Sequence, residues 1–332
     1  MLTAKDVAKI DSAICSRRTR SMFLALLSKE DLVLINHEIT KPKIVSWMSW
    51  IVARKVSISK CIFCKVVTPA LYIPFFTRTG NKIKTLIVSG RGEDEIEFGN
   101  MLCFAAAVCT NIEELTLKKC SSIHGLLNVL YASHGSIIDL NIDNCNVNGL
   151  EVVDLTLPLL KRLCINDCTN IASTTLKELL QAAPILEIFV ADKVNGWPTG
   201  VTGSQYLRVL SIDTSDINDL MFCSLVHSCP LLEVVQLRSC YELTDTSVLE
   251  LVQHAKHLSA LYLCNNLVLT DTALNAIAVH LSVLDCIRVT DAGLYRISEC
   301  CYGLQGLGIG GFVMEHITRA SVKALLHSNP LL

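Results

Sequence analysis

The chain has 332 residues, 51% of them apolar and only 18% charged, which supports a long buried core and excludes intrinsic disorder. The formal net charge is −2 but unevenly placed: residues 1–60 hold 11 Lys/Arg against 5 Asp/Glu, a net of +6, leaving 18 against 26, a net of −8, for the remainder. A mildly acidic body argues against a phosphate-backbone track for nucleic acid. The longest apolar runs, near 44–53 and 101–109, fall short of the ~20 residues of a membrane span, so neither nucleic acid nor membrane is an expected partner.

In chain order, residues 1–55 read as a small helical segment. Thr3 with Asp6 resembles a capping box, followed at helical spacing by Val7, Ile10, Ala13 and Ile14. Met22, Phe23, Leu26 and Leu27 mark a second helix. Ile44, Trp47, Met48 and Ile51 mark a third, separated from the second by Lys41 and Pro42. Lys5, Asp6, Lys9 and Asp11 interrupt any secretory signal, so the expected location is the cytoplasm or the nucleus.

From residue 56 one phrase recurs: an apolar residue, two variable ones, an apolar, a variable, an apolar, and often a cysteine three places on. Val56, Ile58 and Cys61, then Ile83, Leu86 and Val88, are degenerate copies. Clear copies follow in Ile112, Leu115, Leu117, Cys120; Ile137, Leu140, Ile142, Cys145; Leu160, Leu163, Ile165, Cys168; and Leu232, Val235, Leu237, Cys240. Weaker ones at Leu186, Leu207, Leu258, Leu281 and Leu304 keep the phase, with eight steps over the 192 residues from Ile112 to Leu304. The resulting mean of 24 residues per step lies within the leucine-rich-repeat range of roughly 20 to 29. The expected fold class is therefore α/β: a leucine-rich-repeat solenoid over 56–332 of about 11 repeats, with a curved parallel sheet inside and helices outside, behind a helical cap at 1–55.

Thr244-Asp245, Thr270-Asp271 and Thr290-Asp291 read as helix starts, their oxygens accepting from first-turn amides. Residues 193–206, with Asn195, Gly196, Trp197 and Pro198, predict an irregular loop in place of a helix. The six residues from Leu284 to Thr290, against nine from Leu261 to Thr270, predict a tighter turn. Pro330-Leu331-Leu332 looks like the start of another repeat.

Sixteen cysteines fall mostly on the phrase, and the expectation is reduced thiols packed at turns, with Cys164 and Cys264 among the most accessible from their outward strand positions. Cys61 and Cys64 form one CxxC pair with no second pair at zinc-finger spacing, so no metal site is expected there. The nine histidines, among them His227, His254, His280 and His327, read as solvated helix ends. No Gly-x-Ser-x-Gly elbow, phosphate loop or His-Glu-x-x-His helix is present, and Gly306, Gly308, Gly310 and Gly311 lie on a repeat strand and its exit. No enzymatic activity or cofactor is expected.

Cys229-Pro230-Leu231-Leu232-Glu233, Cys240-Tyr241-Glu242-Leu243-Thr244-Asp245 and Arg288-Val289-Thr290-Asp291-Ala292-Gly293-Leu294 resemble the cysteine-containing repeats of F-box leucine-rich-repeat proteins, over roughly 100–311. Residues 2–27 are similar in position and helical pattern to a degenerate F-box, without its Leu-Pro opening or its later Val-Cys-x-x-Trp element. That resemblance implies a substrate-recognition subunit of a ubiquitin ligase. Leu2, Val7, Ile10, Ile14, Phe23 and Leu26 would meet a Skp-type adaptor of a cullin complex, while the array would hold a protein substrate. A stand-alone repeat scaffold is the alternative reading.

Period-two geometry sends residues between the paired apolar positions outward. Asp139, Asp143, Asn166, Ile188, Val190, Asp192, Val209, Asp213, Val234, Gln236, Arg238 and Tyr262 are therefore expected on the concave face. Asp143, Asn166, Asp192 and Asp213 would form an acidic edge beside an apolar patch of Ile188, Val190, Val209 and Val234, the pattern of a protein-binding surface.

Overall fold

The recurring apolar pairs form short parallel strands. A computed structural model describes residues 10–11, 16–27, 33–35, 41–64, 68–90, 95–120, 123–152, 154–264, 266, 268–277, 283–285, 290–300, 306–308 and 318–328. The chain falls into two units, Met1–Leu160 and Lys161–Leu332.

Unit 1 carries β1 (Val33–Ile35), β2 (Lys60–Phe63), β3 (Thr85–Ser89), β4 (Glu114–Lys118) and β5 (Asp139–Asp143), each parallel to the next. Unit 2 carries β6 (Arg162–Asn166), β7 (Ile188–Asp192), β8 (Val209–Asp213), β9 (Val234–Arg238) and β10 (Ala260–Cys264), again parallel in chain order. A further parallel pair, β11 (Val283–Asp285) with β12 (Gly306–Gly308), aligns Leu284 with Leu307. The phrase stays in register throughout: Leu86, Leu115 and Leu140 are neighbours in unit 1, and Leu163, Phe189, Leu210, Val235 and Leu261 in unit 2. All eight are fully buried. The fold is an α/β leucine-rich-repeat array.

Helices cover the inward side. They are α1 (Arg17–Leu27), α2 (Lys41–Arg54), α3 (Pro69–Thr79), α4 (Glu95–Val108) and α5 (Leu126–Ala132) in unit 1. Unit 2 has α6 (Ser173–Ala182), α7 (Asp219–His227), α8 (Asp245–His254), α9 (Asp271–Ile277), α10 (Asp291–Cys300) and α11 (Arg319–Ser328). Aromatic rings pack within the core: Phe63 lies against Phe75 and Phe76 at 6.2 and 5.8 Å, and Phe189 against Trp197 at 6.1 Å.

Four differences from the sequence reading have physical causes. The segment 1–55 was read as helical alone, yet β1 pairs with β2, aligning Leu34 with Cys61. A three-residue strand is too short to show a period of two. The first degenerate copy is Ile58, Cys61 and Phe63 rather than Val56, Ile58 and Cys61, because Cys61 aligns with Leu86 and Phe63 with Val88. Cys61 is thus an inward core residue. Among the described residues of 144–160 no helix forms, a second exception beside the irregular loop at 193–206. Val147, Leu150, Val152, Leu155 and Leu157 are all buried there, supplying apolar side chains from turns where other repeats use a helix.

The fourth concerns the Thr-Asp signals. Thr244 caps α8, its hydroxyl accepting from the Thr246 amide, as expected. The aspartates instead reach to the next repeat. Asp219 accepts from the Thr244 amide (2.8 Å) and hydroxyl (2.5 Å) and from the Ser247 hydroxyl; Asp245 accepts from the Thr270 amide (2.8 Å) and hydroxyl (2.5 Å). Asp271 accepts from the amide (3.1 Å) and hydroxyl of Thr290, and Asp291 from the Thr318 amide (2.7 Å). The ladder survives the shortened Leu284–Thr290 interval, whose turn lies outside the described residues.

The strand exits explain the cysteines. Lys119, Asn144, Asp167, Lys193 and Ser239, each directly after a strand, adopt the left-handed conformation, with φ between 50° and 54°. This bends the chain sharply at a cost of roughly 1–2 kcal/mol per residue. The next residue is usually the phrase cysteine, small enough for the bend. The thiols of Cys120, Cys145, Cys168 and Cys240 each donate to the carbonyl two residues back, at 3.4, 3.3, 3.3 and 3.2 Å. Asn266 takes that place one repeat after Cys240: its Oδ1 accepts from the Cys240 amide (3.0 Å) and its Nδ2 donates to the Leu237 carbonyl (2.9 Å). Burial pushes the Cys109 and Cys240 thiols up to about 12 and the Cys229 thiol up to about 11. Cys120 moves the other way, lowered chiefly by its hydrogen bond with Cys145.

Candidate protein-binding face

The outward residues of unit 2 form three straight rows. Ladder register places Arg162, Ile188, Val209, Val234 and Ala260 in the first, Cys164, Val190, Ser211, Gln236 and Tyr262 in the second, and Asn166, Asp192, Asp213, Arg238 and Cys264 in the third. Ile188, Val190, Val209, Val234, Gln236 and Tyr262 are each half-buried, packed by their row neighbours yet open to solvent, and Arg238 is exposed. The expected apolar patch is therefore a continuous stripe from Ile188 to Ala260.

Paired charges bound the stripe where the strands begin. Lys161 Nζ lies 2.8 Å from Glu187 Oε1, and Arg208 pairs with Glu233. At the strand ends the third row supplies carboxylates. Ser211 donates to Asp192 Oδ1 (3.0 Å), and burial with the nearby Asp192 charge holds the Asp213 carboxyl above its ordinary range despite the Ser239 hydrogen bond. Lys193 pairs with Asp167 at 2.9 Å, and its charge also reaches Asp192 and Asp213. Arg238 stands in register with Asp213. The expected acidic edge is thus partly neutralised by two cations, a rim of mixed sign. Asn166 Oδ1 is buried there with no hydrogen-bond partner, an arrangement that costs roughly 1–3 kcal/mol.

Asp139 and Asp143 lie outward on β5 in unit 1, both half-buried, with Asp143 3.7 Å from Lys118 Nζ. Cys164 departs from expectation. Its strand position is outward, but it is 2% exposed and accepts a hydrogen bond from Arg162 Nε at 3.3 Å, so it is not an accessible thiol. The folded-over arginine is invisible to a period-two argument. Cys264 is half-exposed, as expected.

Of the adaptor-facing candidates, Leu2, Val7 and Ile14 lie outside the described residues, as does the side chain of Leu26. Ile10 is exposed and Phe23 half-buried on α1. The residue that organises this segment is Asp11, which sequence reasoning took only as a charge. It is 2% exposed, pairs with Arg20 (2.9 Å) and Arg54 (3.3 Å), and accepts from Trp50 Nε1 (3.0 Å). A buried carboxylate requires such partners, and they tie the first helical residues to α1 and α2. Among the described residues no helix is long and apolar enough to cross a membrane.

No family model matches the chain, and no curated protein matches it in sequence. Solved structures resemble it in shape. A yeast Rad7–Elc1 complex chain aligns at 12% identity and TM-score 0.47, covering 99% of this chain and 88% of that one. The leucine-rich-repeat-containing protein LegL7 of Legionella pneumophila aligns at 12% identity and TM-score 0.40, covering 91% of this chain and 88% of its own.

Proposed function

We propose that the chain is a protein-interaction module that grips its partner on the open sheet face of unit 2. The observation that carries this reading is the unbroken apolar row Ile188, Val209, Val234 and Ala260, flanked by Val190 and Tyr262 and rimmed by charges of both signs. Solvation alone does not call for such a row, whereas an interface core with a polar rim does. The partner presents apolar side chains at its centre and polar groups of both signs around them.

The finer reading is a substrate-recognition subunit of a Skp/cullin ubiquitin ligase, supported by the F-box-like pattern of residues 2–27 and the repeat phrases. Tagged chain recovered from cells tests both levels. A Skp-type adaptor that co-purifies and is lost on deleting residues 1–40 supports the ligase reading; its absence under gentle lysis ends it. A substrate lost in the Val190→Ser/Val209→Ser variant supports the face, and undiminished recovery by that variant rejects it. The stand-alone scaffold has one specific observation in its favour: β1 pairs with β2, so the 1–55 segment continues the sheet of unit 1 as a cap would.

A further inference from the structure

A cluster on the helix side of unit 2 was read from sequence as solvated helix ends. His227 closes α7, while Glu250 and His254 stand one turn apart on α8, the helix of the next repeat. His227 Nε2 lies 3.0 Å from Glu250 Oε2, His254 Nδ1 lies 3.3 Å from the same oxygen, and the two imidazole centroids are 4.1 Å apart. One ligand-capable atom from each residue lies within 4.8 Å of those of the other two. We propose that His227, Glu250 and His254 form a binding site for a divalent transition-metal ion of zinc's class, linking two adjacent repeats.

The spacing fits. Tetrahedral zinc with nitrogen and oxygen ligands at about 2.0–2.1 Å separates those atoms by about 3.3 Å, and two of the contacts already stand at 3.0 and 3.3 Å. The donor set also fits. Two imidazoles with one carboxylate suit zinc and its neighbours, whereas calcium and magnesium prefer all-oxygen shells. His254 Nδ1 is 2.9 Å from the Glu250 carbonyl oxygen, which can only accept, so this nitrogen carries a proton in the metal-free state. Metal entry at Nδ1 moves the proton of the neutral ring to Nε2, so that the imidazole binds as its other tautomer, and an imidazolium releases one proton to solvent. His227 and His254 are exposed and Glu250 half-exposed, so an entry path exists and the remaining coordination position is open to water. Cys223, one turn before His227, hydrogen-bonds Ser247 instead and is not assigned as a ligand. The site lies across helices and owes nothing to the sheet face.

Reduced, metal-stripped full-length protein titrated with zinc sulfate by calorimetry tests this directly. One equivalent is expected to bind with a low-micromolar or tighter Kd, weakened at least tenfold by His227→Gln/His254→Gln and unchanged by Cys223→Ala. The isosteric Glu250→Gln variant, also expected to weaken binding, covers the case in which the double variant folds poorly. Cobalt(II) as a probe is expected to show ligand-field bands without a thiolate charge-transfer band, and calcium no binding. Zinc binding that survives both substitutions, a thiolate band removed by Cys223→Ala, or no zinc binding at all overturns the proposal.

Discussion

The two units use the same inward chemistry and differ most along their first outward row, although outward Ile62 and Ile87 are apolar in unit 1 as well. In unit 1 the first outward row reads Lys60, Thr85, Glu114 and Asp139, with Thr85 donating to Glu114 at 3.0 Å. In unit 2 the corresponding strand positions read Arg162, Ile188, Val209, Val234 and Ala260. The apolar pairs facing the core are alike in both, so outward composition is free of the demands of folding and can be set by what the face must hold. Along either sheet, side chains a single residue apart answer to different constraints.

The sharpest test of that separation uses adjacent residues on β8. Leu210→Ala should lose about 2–5 kcal/mol, since a fully buried side chain leaves a cavity. Val209→Ser should lose less than about 1 kcal/mol in the same urea titration. Comparable losses would place Val209 in the core and remove the proposed face.

Next in size is the ladder. Asp219→Ala strands the Thr244 donors and the fully buried Ser247 hydroxyl, and should cost about 1–3 kcal/mol. Hydrogen exchange should rise first in α7 and α8. An effect confined to α7 would mean that the aspartates cap locally and do not join repeats.

Thiol labelling sharpens the distinction between outward position and accessibility. Cys264 should react within the native state, while Cys164, Cys168 and Cys240 should need unfolding, Cys240 also because its thiol is pushed up to about 12. Arg162→Ala should expose Cys164 and bring it into the fast class. A Cys164 that remains slow in that variant would show that Arg162 is not what covers it. Cys168→Ser should be mild, since its hydroxyl can keep the bond to the Asn166 carbonyl.

The smallest effect is electrostatic. Burial and Asp192 raise the Asp213 carboxyl, so the folded chain binds this proton more tightly than the unfolded chain. The associated stability is complete below the ordinary carboxylate value of about 3.9 and is lost as pH rises through the raised folded value. Asp213→Asn should therefore raise Tm slightly at pH 7, on the order of 1 °C for a half-exposed group, with the gain vanishing toward pH 3. A loss at pH 7 would mean that Arg238 and Lys193 outweigh the repulsion.

The period, the inward pairs and the outward rows were legible from sequence because strand geometry turns a spacing of two directly into a face, and stacking turns a spacing near 24 into a neighbour. The irregular loop at 193–206 was legible for the same kind of reason, since Gly196 and Pro198 act locally. The candidate stripe from Ile188 to Val234 was foreseen; its mixed rim was not, because Arg238 meets Asp213, and Lys193 meets Asp167 and Asp213, only across strands. Contacts between repeats belong to tertiary structure. Asp219 reaching Thr244, Asn266 standing in for a cysteine, Arg162 folding over Cys164 and His227 meeting His254 all join residues 2 to 27 positions apart whose side chains carry no mark of the partner. Chain spacing brought these groups to adjacent repeats or a shared strand; the packed helices and ladder register decided which atoms touch.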